Sequence, residues 1–235
     1  MHTLGIVLAG GASRRMGLAD RGGKAAAMLA GRTLLGHVCG AVRPAVDRLV
    51  VVAAPDQPIP DLPEIDTVIR DSRPGAGPLA GMADALRTAG PGLDHGFVAS
   101  CDVPLLRTGL VRRMLDRVSE PGVAWAVPLI DGHPQVLVSA LRPLLLDEID
   151  AHLAAGRRDP RGLIDRLRSP ARTGDAGVRL VPAAELLDVD ADLVSFTDVD
   201  TPDDLARIET RLVYSAPWRR DIPESRGGSG HADAG

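Results

Sequence analysis

Three kinds of residue near the start of the chain have the chemistry to hold a polyphosphate: a glycine pair, a pair of arginines and a lysine. They fall within TLGIVLAGGASRRMGLADRGGK, residues 3–24. Gly10 and Gly11 directly follow an apolar run. Glycine permits positive φ and lets a ligand approach the main chain with no Cβ in the way. Successive N–H groups in such a turn can converge on one point as an anion nest. Arg14, Arg15 and Lys24 add full positive charge beside it. Lys24 is the only lysine in the chain; the other strongly basic side chains are all arginine. Such a chain keeps a lysine where a compact ammonium on a flexible stem is wanted. The stretch is not a Walker loop, because no Gly-Lys-Ser/Thr occurs, and it lacks the GxGxxG dinucleotide fingerprint. Taken alone, the loop also fits a plain turn flanked by solvated arginines.

Two aspartates extend the pattern. Asp102 ends an apolar run and precedes Val103-Pro104. Magnesium binds through one or two carboxylates plus substrate phosphates, so Asp102 is the candidate ligand, with a turn or capping aspartate as the alternative. Asp71 lies in RDSRPGAGPLAG, just before a second glycine-rich turn. It suits a ribose hydroxyl or a base edge, or an ordinary turn. Nest, cations and carboxylate together form the kit for phosphoryl or nucleotidyl transfer, where catalysis is mostly positioning and charge stabilisation. No Ser–His–Asp or Cys–His arrangement is evident. His37, His95, His133 and His152 are scattered and read as structural or solvent-facing.

These residues need a scaffold, and the pattern around them alternates strand and helix. Leu4–Leu8 reads as a buried strand, Thr33–Val42 as a helix stopping at Pro44, and Arg48–Ala54 as a strand buried on both faces. Thr67–Arg70 is a third strand. Gly75–Gly77 forms a turn, and Pro78 opens a helix through Ala89. His95–Ser100 is the fourth strand. Thr108 caps a helix to Val118, and Val123–Leu129 is the fifth strand. Beyond it the spacing predicts a strand over Gln135–Leu141, helices over Leu144–Ala155 and Leu163–Leu167, and short strands at Val178–Val181 and Leu193–Phe196. Thr201-Pro202-Asp203-Asp204 starts a final helix to Tyr214. Residues 215–235 read as a disordered tail after a single domain over 1–214.

Repeated βα units imply an α/β, Rossmann-like three-layer fold with a mostly parallel central sheet. Ligands in such sheets lie at the carboxyl ends of the strands. That rule gathers the first loop, Asp71 and Asp102 along one edge. Composition bounds the partners. With 31 acidic against 27 basic side chains there is no electrostatic footprint for nucleic acid, and 2% aromatic content argues against stacking single strands. Cys39 and Cys101 are too few for a disulfide framework, and no paired Cys/His metal spacing occurs. No signal peptide or bilayer-spanning run is visible, so a cytoplasmic setting is expected.

LAGGASRRMG, the following Lys24 and LLGHV resemble the signature of the nucleotidyltransferases that complete molybdenum cofactor, specifically the molybdenum cofactor guanylyltransferases. The resemblance continues through RDSRPGAGPLAGM, SCDVPLL, GHPQVLVSALRPLL, HLAAGRR and DVDTPDDLARIE. It implies a nucleotide-diphospho-sugar transferase-like fold and a Mg²⁺-dependent transfer of GMP from GTP to the phosphate of molybdopterin, with pyrophosphate leaving. It implies GTP and molybdopterin as substrates and transient contact with molybdenum cofactor proteins, with no nucleic acid and no membrane. Carried over by position, Leu8, Ala9, Gly10 and Gly11 line the nucleotide, Lys24 and Arg15 hold the phosphates, Asp71 meets the guanosine end, and Asp102 binds Mg²⁺ and nucleotide. His133-Pro134 and Arg157-Arg158 fall where the family meets its pterin.

Four departures stand out. Gly23 replaces the family's aspartate before the lysine, with Asp20 displaced by a longer loop. Ala53 replaces a nucleotide-contacting asparagine, and the chain has no asparagine at all. The closing motif Asp198-Val199-Asp200-Thr201-Pro202 has the acidic form common in relatives that use CTP, whereas LAGG is the form of those that use GTP. A cytidylyltransferase for the same cofactor, a guanylyltransferase for another small phosphate acceptor and a non-catalytic nucleotide-binding protein are therefore the alternatives.

Overall fold

The computed structural model describes residues 1–10, 23–169 and 177–214. Gly11, Arg14 and Arg15, and the tail expected over 215–235, lie outside these residues. The strands are β1 (Thr3–Leu8), β2 (Met28–Leu29), β3 (Arg32–Thr33), β4 (Arg48–Ala53), β5 (Thr67–Arg70), β6 (His95–Ser100), β7 (Val123–Ile130), β8 (His133–Pro134), β9 (Val138–Leu141) and β10 (Gly177–Pro182). The helices are α1 (Leu34–Val42), α2 (Pro78–Ala89), α3 (Thr108–Val118), α4 (Leu145–Ala154), α5 (Pro160–Leu167) and α6 (Pro202–Tyr214).

The central sheet runs β10-β7-β9-β6-β1-β4-β5, with β8 paired to β7. β1 pairs in parallel with both β4 and β6, and Leu8 stands opposite Val52 on one side and Ser100 on the other. Apolar runs with both faces covered favour this central place. β9 is antiparallel to both β6 and β7, so it reverses one strand without turning its neighbours round. The carboxyl ends of β1, β4, β5, β6 and β7 therefore share one edge. One core layer joins Val7, Val51 and Phe97 of the sheet to Leu35 and Val38 of α1 and Leu110 and Met114 of α3. The other joins Ile6, Val50 and Trp125 to Leu79 of α2, Ile149 of α4 and Leu163 of α5. A third cluster, with Leu29, Leu34, Val199 and Ile208, fastens the β2–β3 hairpin to α6. Among the described residues no helix is long and apolar enough to cross a membrane.

Most expected elements are present, and the differences have local causes. Leu193–Phe196 is not a strand. Leu193 has φ 51° and Val194–Phe196 is a 3-10 turn. The buried Asp190 carboxylate accepts from the Val194 and Ser195 amides at 3.2 and 2.9 Å, which folds the segment back on itself. α5 begins at Pro160, earlier than its apolar residues suggest, because Asp159 caps it by accepting from Gly162 N at 2.6 Å. Thr108 lies inside α3 rather than capping it, and its hydroxyl donates to Ala41 O on α1 at 2.8 Å. The strand expected over Gln135–Leu141 is confined to β9, with β8 formed just upstream. α6 starts as expected: Asp204 N donates to Thr201 Oγ1 at 3.2 Å, and Thr201 N donates back to Asp204 Oδ2 at 2.9 Å.

Candidate nucleotide-binding site

Where β1, β4, β5 and β6 end, a cleft of about 470 Å³ opens, lined by Leu8, Gly10, Ala53, Asp71, Gly77 and Asp102 among others. A volume of that order suits a small-molecule ligand. β1 and β4 stay joined past their ladder: Ala9 N and Gly10 N both donate to Val52 O, at 2.8 and 3.3 Å. Gly10 does not adopt positive φ. A Cβ there would stand 3.5 Å from Ala54 N, which is ordinary contact, so its role is to line the cleft. Positive φ is used instead at Gly23 (67°) and Gly77 (87°).

Lys24 opens a 3-10 turn, Lys24–Ala26, directly after Gly23. Ala25 buries in the first core layer and Ala27 in the third cluster, which fixes the chain just after the lysine. Its Nζ lies 3.3 Å from Asp102 Oδ2 and donates to Asp200 Oδ1. Burial opposes the charge on Lys24. The hydrogen bond Lys24 donates to Asp200 and the negative charges of Asp102 and Asp200 outweigh it, so its pKa lies above the ordinary lysine value. The ammonium is thus firmly protonated at neutral pH.

Asp102 follows β6, and its backbone carbonyl accepts from Val199 N at 2.8 Å. That bond docks the segment before α6 onto the sheet edge. Val199 is fully buried, and Asp198 and Asp200 flank it in the alternation of an extended segment. Partial desolvation at the sheet edge, then the charge of Asp200, pushes the Asp198 carboxyl above the usual carboxylate range, although the residue as a whole is exposed. Asp71 sits at the far end of the cleft. Its Oδ1 accepts from Arg73 N at 2.9 Å, and its own amide donates to Ala53 O at 2.8 Å. It therefore shapes a turn as well as lining the cleft.

Leu8, Ala9, Gly10, Lys24, Asp71 and Asp102, singled out from the sequence, thus gather at one edge, with Lys24 and Asp102 in direct contact. Asp200 was not among the expected site residues. Its signal was present in the paired aspartates on either side of an apolar residue, just ahead of a helix start. The histidines are structural where expected: His37 Nε2 meets Leu29 O at 2.9 Å, and His152 Nε2 meets Asp159 O at 3.1 Å.

The residues fit partial ligation of a hard cation. Asp102 and Asp200 present carboxylates to the same ammonium, while among the described residues no cluster of three or more His, Cys, Asp or Glu could hold an ion unaided. Magnesium commonly takes one or two carboxylates and completes its shell with phosphates and water.

Comparisons with known proteins bear on the family and the fold. A curated relative from Mycobacterium avium, named probable molybdenum cofactor guanylyltransferase, is 38% identical over 169 residues, covering 70% of this chain and 82% of the relative. The molybdopterin-guanine dinucleotide biosynthesis protein A of Archaeoglobus fulgidus superposes with a TM-score of 0.69 at 24% identity, over 90% of this chain and 99% of that one. The 2-C-methyl-D-erythritol 4-phosphate cytidylyltransferase of Thermus thermophilus shares the fold with a TM-score of 0.63 at 20% identity, over 91% and 100% of the two chains. A family model of the MobA-like NTP transferase domain matches residues 5–171, most of the chain, and the protein belongs to that family.

Proposed function

We propose that this protein transfers GMP from GTP to the phosphate of molybdopterin and releases pyrophosphate. The observation that carries the reading is the meeting of the lone lysine with two carboxylates at one end of the cleft, in a chain 38% identical to a probable molybdenum cofactor guanylyltransferase. The triphosphate lies at the Lys24–Asp102–Asp200 end and the nucleoside toward Ala53, Ala54 and Asp71. A phosphate oxygen of the acceptor attacks the α-phosphorus, and the bond to the bridging oxygen of the β-phosphate breaks. Lys24, held protonated, neutralises charge on the phosphates and gives up no proton. Asp102 and Asp200 would hold Mg²⁺, which when bound supplies charge neutralisation to the triphosphate. Asp71, fixed by its turn, offers its second oxygen to the nucleoside.

Incubation with GTP, Mg²⁺ and molybdopterin should release pyrophosphate and form the guanine dinucleotide. Absence of both overturns the reading. A second reading, transfer of CMP from CTP, is favoured by Asp198 and Asp200 in the closing motif. Thermal unfolding with each nucleotide separates the two, since a ligand at 100 times its dissociation constant adds about 2.7 kcal/mol. Larger stabilisation by GTP than by CTP is expected.

A further inference from the structure

The chain contains no asparagine and two glutamines, Gln57 and Gln135, so side-chain carboxamides are scarce. Gln57 sits at the nucleoside end of the cleft, in the proline-flanked loop Pro55-Asp56-Gln57-Pro58 after β4. Its Oε1 accepts from Ala54 N at 3.2 Å, and its Nε2 donates to Ala9 O at 3.0 Å. The ladder between β1 and β4 ends at Leu8 and Val52. Past that point the Gln57 carboxamide stands between the strand ends as an inserted peptide unit would, accepting from one and donating to the other. The loop that presents it is itself held. Gln57 N donates to Ala54 O at 3.2 Å. Arg70, next to Asp71, donates to Gln57 O at 2.6 Å and to Ala54 O at 3.0 Å.

The geometry points to Gln57 as a positioning residue that sets base selection, resting on the guanylyltransferase reading above. Ala53 and Ala54 line the cleft with side chains that cannot read a base by hydrogen bonds. Among the described residues at this end, discrimination then falls to backbone groups and Asp71. Backbone groups discriminate only if their spacing is fixed. Gln57 fixes it by tying Ala9, beside Gly10, to Ala54. Its carboxamide bonds run to Ala54 and Ala9, whereas Lys24 and Asp102 meet at the other end of the cleft, so its effect falls on nucleotide binding and not on the transfer step.

The test uses the full chain with Mg²⁺. Steady-state KM and kcat for GTP, and calorimetric dissociation constants for GTP, ITP and CTP, are measured for the wild type, Gln57→Ala and Gln57→Glu. A carboxylate at this position can still accept from Ala54 but cannot donate to Ala9. Both variants should raise KM and the dissociation constant for GTP about tenfold, leave kcat within about threefold, and narrow the preference for GTP over CTP by the same factor. Unchanged KM and base preference, or a fall in kcat at constant KM, overturns the proposal. Should Gln57→Ala fail to fold, the nearly isosteric Gln57→Glu reads the same ratios. A wild type that binds neither GTP nor CTP overturns the guanylyltransferase reading and this proposal with it. A wild type with tight GTP binding and indifferent variants overturns this proposal alone.

Discussion

Lys24 and Asp102 divide one task between opposite charges, so loss of either should be felt in the transfer step. Lys24→Ala and Asp102→Asn are each expected to lower kcat for pyrophosphate release by about 10²–10³-fold while the thermal transition persists. Lys24→Arg should restore little, because a planar guanidinium does not replace a compact ammonium between two carboxylates. A different residue shows how closely the site's supports are packed. A Cβ on Gly5 of β1 would stand 2.6 Å from Val42 Cγ1 on α1. Gly5→Ala is therefore expected to destabilise the fold by about 1–3 kcal/mol, read from urea unfolding. Asp71 and Asp102 were legible in the sequence because each follows a strand-like run, and Lys24 because it is the only lysine in the chain. Gly10 was legible as a place but not in its conformation, since close approach and positive φ both demand glycine and only the backbone separates them. Asp200 was read only as part of the acidic closing motif, and its place beside Lys24 depends on a backbone bond from Val199 to Asp102 that no local pattern announces.

Helix α6 depends on its first turn to hold that closing segment in place. The Thr201 hydroxyl, which donates to Asp204, and the Thr201 and Asp200 amides hold the Asp204 carboxyl below its usual range. A carboxylate whose folded pKa is depressed stabilises the fold above its unfolded value, near 4, and that contribution is lost as pH falls through the folded value. Asp204→Asn should accordingly lower the melting temperature at pH 7, and the gap from wild type should close as the pH drops below about 4 in circular dichroism melts. The turn after Asp190 is a second anchor of the same region. Its fully buried carboxylate serves two amides and lies 3.3 Å from Arg107 Nε. Asp190→Ala leaves those amides unsatisfied and should cost about 2–4 kcal/mol of unfolding free energy by urea denaturation. This turn is also where the sequence misled. Leu-Val-Ser-Phe carries strand-like residues, but a buried acceptor a few positions upstream overrides their propensity. By contrast β5, α2 and β6 match their expected bounds, because proline, glycine and aspartate punctuate both ends.

Both cysteines lie inside the layer between the sheet and α1 and α3. Burial pushes each thiol up to about 12. In the native protein neither should react with an aromatic disulfide reagent at pH 8, and both should react after unfolding in guanidinium; thiol counts before and after denaturation check this. The layered architecture was legible from the alternation of strands and helices. The reversed β9 was not, because an apolar strand reads alike in either direction and its orientation is set by the hairpin-like return from β7. The match to the family model ends at residue 171, yet Asp200 lies beyond it and meets Lys24 from 176 positions away along the chain. A ribosome adding 5–20 residues per second needs roughly 9–35 s to cover that interval. Throughout it the emerging polypeptide carries the lysine without this acidic counterpart, so a nascent or prematurely stopped product should lack a competent phosphate end however well its earlier strands have assembled.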